Sequence, residues 1–61
     1  MGVTMSVNIV SSGQRIGTLE KEGNHWIWTN YDENGAYACG WTWEPGEAME
    51  KSELASRRKE S

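Results

Sequence analysis

The chain has no phenylalanine, one cysteine, one proline, one histidine and no long apolar run. One cysteine, Cys39, cannot close an internal disulfide. With a single histidine, His25, it cannot complete the ligand set of a structural zinc site either. The usual staples of a small domain are therefore missing, and no cofactor is expected. No stretch approaches the roughly 20 apolar residues that cross a membrane as a helix, so no membrane association is expected. Residues 1–7 have neither the basic segment nor the apolar core of a secretory signal, and a cytoplasmic location is expected. Gly2 and Ser6 match a myristoylation pattern, but that pattern is too short and frequent to carry an assignment.

Positive charge is also scarce. Six Lys and Arg stand against nine Asp and Glu, a net charge of −3. That balance argues against a nucleic-acid binder driven by bulk charge. A chain of 61 residues makes one domain at most, which excludes a multi-domain enzyme with a large enclosed site. A domain of this size buries only about 60% of its unfolded surface. Two compensations remain, heavy aromatic packing and self-association as a homodimer.

Four strands are expected. Residues 3–10 alternate Val3, Met5, Val7 and Ile9 with Thr4, Ser6 and Asn8, the period of a half-buried strand. Residues 15–22 are weaker, with Gly17 inside and a polar end, and suit a sheet edge. Residues 25–31 and 36–44 are rich in β-branched and aromatic side chains. Asn34-Gly35 between them is a strong hairpin signal, and Pro45-Gly46 is expected to end the sheet. Residues 47–60 lack β-branched side chains, carry Glu47 early and Arg57, Arg58 and Lys59 late, and predict a short helix. Its apolar face is thin: Ala48, Met49, Leu54 and Ala55. The expected fold is mainly β (α+β): a four-stranded antiparallel meander, SH3-like or barrel-like in scale, over 1–46, with a C-terminal helix or frayed basic tail of the same domain over 47–61. Residues 1–50 hold two basic and seven acidic side chains, a charge of −5; residues 51–61 hold four and two, a charge of +2.

Four tryptophans are the outstanding feature. They form two W-x-W pairs, Trp26/Trp28 and Trp41/Trp43. On a strand each pair projects to one face. A two-residue turn at Asn34-Gly35 sets Trp28 opposite Trp41 and Trp26 opposite Trp43, with all four indoles on one side. This is the favoured register. A three-residue turn over Glu33–Gly35 instead puts Trp41 and Trp43 with His25, Ile27, Tyr31 and Tyr37, and sends Trp26 and Trp28 to the other face. At least two indoles are expected in the core, since little else can cover a sheet face. Gly40, mid-strand, reads as space for a neighbouring tryptophan or a bulge.

Catalytic chemistry finds no support. His25 and Cys39 are the only nucleophile and base candidates, and even on one face they stand roughly 13 Å apart along the strands. Gly13-Gln14-Arg15-Ile16-Gly17 lacks the lysine of a phosphate loop. A non-catalytic protein-binding module is the expected role. It would resemble in size a phage or mobile-element accessory or inhibitor protein, docking an aromatic hairpin on a partner with a basic surface. The residues expected to carry it are Trp26, Trp28, Trp41 and Trp43, flanked by Tyr31 and Tyr37. The alternative is a homo-oligomer that binds a nucleotide-like or aromatic small molecule in a tryptophan cage. Arg15 or the cluster Arg57, Arg58 and Lys59 would then supply positive charge. Single-stranded nucleic acid would need a positive groove that an acidic body does not offer.

Overall fold

A computed structural model describes residues 5–60. The chain forms β1 (Met5–Ser11), β2 (Gln14–Glu22), β3 (His25–Asp32), β4 (Gly35–Thr42) and α1 (Pro45–Glu60). The strands make one antiparallel meander in the order β1-β2-β3-β4. The expected four strands and C-terminal helix are present. The sheet is open rather than closed into a barrel, and the helix covers one of its faces. The part of the first strand expected over Val3 and Thr4 lies outside the described residues.

The turns follow from residues that accept positive φ. Ser12 and Gly13 take φ of 53° and 78°, the signature of a type I′ hairpin turn. Gly23 takes φ 62° at the first position of the next turn, as a type II′ turn requires.

Paired residues share a face, so the ladder sorts the side chains. One row runs Val7, Leu19, Trp28, Gly40; the next runs Ile9, Gly17, Asn30, Ala38. A third runs Met5, Lys21, Trp26, Thr42. These rows face the helix. Ile9, Leu19, Trp28 and Ala48 form the buried apolar core, with Ile16, Trp26, Ala38 and Ala55 packed around it.

The helix starts at Pro45, whose missing N–H is no loss in a first turn. The Glu44 carbonyl accepts the Ala48 N–H at 3.2 Å, and the Thr42 hydroxyl donates to the same oxygen at 2.6 Å. Glu47 near the start and Arg57, Arg58 and Lys59 at the end complement the helix dipole. Its sheet-facing stripe differs from the expected one. Ala48 and Ser52 are buried and Ala55 and Ser56 half-buried, while Met49 and Leu54 are exposed. Small side chains let the helix lie close over Trp28.

A polar pin fixes the helix. Asn30, fully buried, donates from Nδ2 to the Ser52 carbonyl at 2.8 Å, and the Ser52 hydroxyl donates back to Asn30 Oδ1. The same Nδ2 lies 3.3 Å from the Tyr37 hydroxyl. Gly17 makes room for this arrangement: a Cβ there would fall 2.9 Å from Asn30 Oδ1 and closer still to the Thr29 carbonyl. At the helix end Lys59 meets Asp32 at 2.7 Å.

Two further expectations are corrected. β2 is an inner strand, not an edge: Leu19 is buried between β1 and β3, and only the two ends of β2, Gln14-Arg15 and Lys21-Glu22, are exposed. The first strand is less covered than its alternation suggests. Only Ile9 is buried, because the helix packs over β2, β3 and β4 and barely reaches β1.

Candidate functional site

The β3–β4 register decides where the indoles go. Asp32 Oδ1 accepts the Asn34 N–H at 2.7 Å, an Asx turn that moves the reversal back to Glu33-Asn34. Gly35 then pairs with Asp32 at φ 110°. A bulge follows: Tyr31 pairs with Ala36 and Asn30 with Ala38, leaving Tyr37 as the extra residue. Beyond it Trp28 lies opposite Gly40 and Ile27 opposite Trp41.

The favoured register, with all four indoles on one face, is therefore overturned. It would have set Trp28 against Trp41 beneath a helix whose stripe of alanines and serines has no room for four rings. In the observed register Trp28 lies across Gly40, where an added Cβ would fall 2.8 Å from Nε1. Gly40 is packing space for a tryptophan. The second register was right about the indoles, but its turn was different, and Tyr37 joins the helix side.

The six expected binding residues are thus divided. Trp28 is 7% exposed and belongs to the core. Its Nε1 is buried with no acceptor among the described residues. Trp26 is half-buried beside it, with Lys21 Nζ 5.8 Å from the ring centroid. Tyr37 is held by Asn30 and lies beneath Lys59 Nζ, 5.1 Å from its ring centroid. None of these three reaches the face opposite the helix.

Trp41 and Trp43 do. They are 56% and 64% exposed, and their rings meet edge to face at 5.0 Å between centroids. His25 completes the cluster, 5.7 Å from Trp41 and 6.4 Å from Trp43, again edge to face. Ile27 pairs with Trp41 on this face. Each ring's orientation is fixed by its neighbours, so part of the entropy of ordering them at an interface is already spent. His25 belongs to the site although it is not among the expected binding residues; its parity with Ile27, two residues away on one strand, already sets it beside Trp41 and Trp43 in the alternative register.

Carboxylates border the cluster. Glu20 stands in the row Ser6, Glu20, Ile27, Trp41, and Glu22 pairs with His25. Tyr31, exposed, shares the face but stands at the other end of β3. There it lines an open cleft of about 670 Å³ with Arg15, Asp32, Tyr37 and Lys59. That cleft brings together the tyrosines and Arg15, but none of the indoles.

The basic groups lie apart from the exposed indoles. Arg57, Arg58 and Lys59 end a 16-residue helix that starts near Trp43, so roughly 18–21 Å of helix separates them. Lys59 is tied to Asp32. This ion pair holds the Asp32 carboxyl below its ordinary value of 3.8, helped by the Asn34 N–H. It also raises the Lys59 ammonium above 10.5. Within one chain, therefore, Trp41 and Trp43 do not share a site with the cations of the helix end. Cys39 is exposed on β4 opposite Thr29, four residues along the face from His25 and so roughly 13 Å away. Among the described residues no helix is long and apolar enough to cross a membrane. Comparison with protein families, curated proteins and solved structures finds no match for the chain.

Proposed function

We propose that the chain is a small non-catalytic protein-binding module that docks the open face of its β3–β4 hairpin on a partner protein with a basic surface. The carrying observation is the ordered, solvent-facing cluster of Trp41, Trp43 and His25 on the side away from the helix. Tryptophan is the preferred anchor of protein interfaces. Here two indoles stand where the core has no use for them. The bordering carboxylates of Glu20 and Glu22 set the partner's chemistry. An arginine or lysine over the cluster gains a cation–π contact and a counter-charge together. The cytoplasm is the compartment that fits an exposed free thiol at Cys39. An accessory or inhibitor protein that blocks a basic surface, such as a nuclease face, is the role this chemistry suits.

The test titrates the chain with an arginine-rich peptide and with a glutamate-rich peptide of the same length, followed by indole emission. The arginine-rich peptide is expected to bind, more weakly as salt rises. Trp41→Ala or Trp43→Ala, checked for folding by circular dichroism, should weaken binding about 30-fold, as loss of a central anchor does. Equal binding of both peptides, or undiminished binding by both folded variants, would refute the reading.

A further inference from the structure

The two outer strands are the two without charge. β1 (MSVNIVS) and β4 (GAYACGWT) hold no charged side chain, while Arg15, Glu20, Lys21, Glu22 and Asp32 sit on the inner strands. Monomeric proteins do the reverse: they place charges, prolines or bulges on sheet edges to block pairing with other chains. β4 keeps one such device, the bulge at Tyr37. β1 keeps none, because the extra residue of the β1–β2 ladder is Ile16, on β2. β1 also leaves Met5, Val7 and Val10 exposed, Val7 by 45%. Met5 and Val7 share the helix-side rows, past the reach of the helix.

We infer that β1 pairs antiparallel with β1 of a second copy, joining two sheets into one of eight strands. The occupant follows from charge and symmetry. The chain carries a net charge of −3, and stacking two open faces would bring Glu20 and Glu22 toward their own copies. β1 against β1 meets no charge on either strand. An antiparallel strand is self-complementary about a twofold axis, and side-chain parity is kept: with Asn8 opposite Asn8, Val7 faces Ile9 of the other copy. The exposed Met5 and Val7 of both copies then fill the gap between two helices on one side of the joined sheet. The axis is perpendicular to the sheet, so both aromatic clusters lie together on the other side. The assembly presents two copies of the binding face, and avidity can follow. This pairing is independent of the partner reading: a strictly monomeric chain would still expose Trp41 and Trp43.

Sedimentation equilibrium of the whole chain over a wide concentration range tests the pairing. The expected mass is twice 6.9 kDa, falling to 6.9 kDa for Asn8→Lys and Val10→Lys, both at exposed positions. Amide exchange in the unsubstituted dimer gives a check that needs no variant. All β1 amides should be protected, rather than only those that face β2. Thiol oxidation separates the two edges. With β1 at the centre, the two β4 strands lie seven strand spacings apart, roughly 34 Å, and no Cys39-linked dimer forms. A monomer at every concentration would overturn the inference. So would a dimer that both lysine variants retain, one whose outward β1 amides exchange freely, or one that cross-links readily through Cys39.

Discussion

Gly40→Ala is the sharpest single perturbation of this fold. The position does not need glycine for its backbone, since its φ is not among the positive ones. What an added methyl meets is the Trp28 ring: Nε1 at 2.8 Å, and Cε2 and Cζ2 at 2.9 Å. Comfortable carbon contacts lie near 3.5–4.0 Å, so the indole must move by about 1 Å. It cannot do so freely, with Leu19 beside it in the same row and Ala48 in the same core cluster. Overpacking of this kind costs about 1–3 kcal/mol. Replacing glycine returns about 0.4–1 kcal/mol by stiffening the unfolded chain. The net is a loss of about 1–2 kcal/mol. For a domain of this length that lowers Tm by about 5–15 °C. Thermal unfolding by circular dichroism reads it directly. The same substitution in a Trp28→Phe background should cost about 0.5 kcal/mol or less, because the smaller ring withdraws from Gly40. An unchanged or raised Tm for Gly40→Ala, or strictly additive effects in the double variant, would refute the placement of Trp28 against β4.

Two further outcomes follow from the polar contacts. Asn30→Ala leaves the buried Ser52 hydroxyl without its acceptor and removes the second donor to a Ser52 carbonyl that keeps its helical bond, a loss of about 1–3 kcal/mol in urea unfolding. Ser52→Ala should then cost less in that background than alone. Asp32→Asn keeps the Asx turn but removes the ion pair to Lys59. The carboxyl's folded pKa lies below its unfolded value, so its contribution is present above the ordinary carboxylate range and lost as pH falls through the folded value. Lys59, raised in the folded state, contributes below its ordinary value and loses that contribution in strong alkali. Asp32→Asn should therefore lower the unfolding midpoint at neutral pH, by an amount that shrinks as pH falls below the ordinary carboxylate range.

The elements were legible because local signals agreed. Alternation marked the strands, Gly and Asn marked the turns, and the loss of β-branched residues with a reversal of charge marked the helix. Register was not legible, because two turn chemistries overlap at residues 32–35. Asn34-Gly35 offers a type I′ turn, and Asp32 offers an Asx turn one residue earlier. Tertiary packing decides between them by giving Trp28 the space over Gly40. The inner position of β2 was hidden for a related reason. Gly17 looked like weakness, but it is where Asn30 needs room. Asn30 continues the alternation of Trp26 and Trp28 and so stands at a core position, where its polar side chain breaks the apolar pattern. A lone polar residue in such a series, with serine on the covering helix, is the pattern that could have revealed the pin. The binding face was half legible. W-x-W fixed which indoles travel together, but not which pair the helix would cover.

The central claim is that one tryptophan pair builds the fold and the other serves the surface. Unfolding of two paired variants, Trp26→Phe/Trp28→Ala and Trp41→Ala/Trp43→Ala, measures this most directly. Deleting the buried Trp28 should cost about 3–5 kcal/mol, enough to abolish the cooperative transition of a domain this small. Removing Trp41 and Trp43 should leave a cooperative transition near that of the unsubstituted chain, with emission shifted to the blue as the solvent-facing indoles are lost. A folded first variant together with an unfolded second would contradict the account, and would make the open-face indoles the core of the protein.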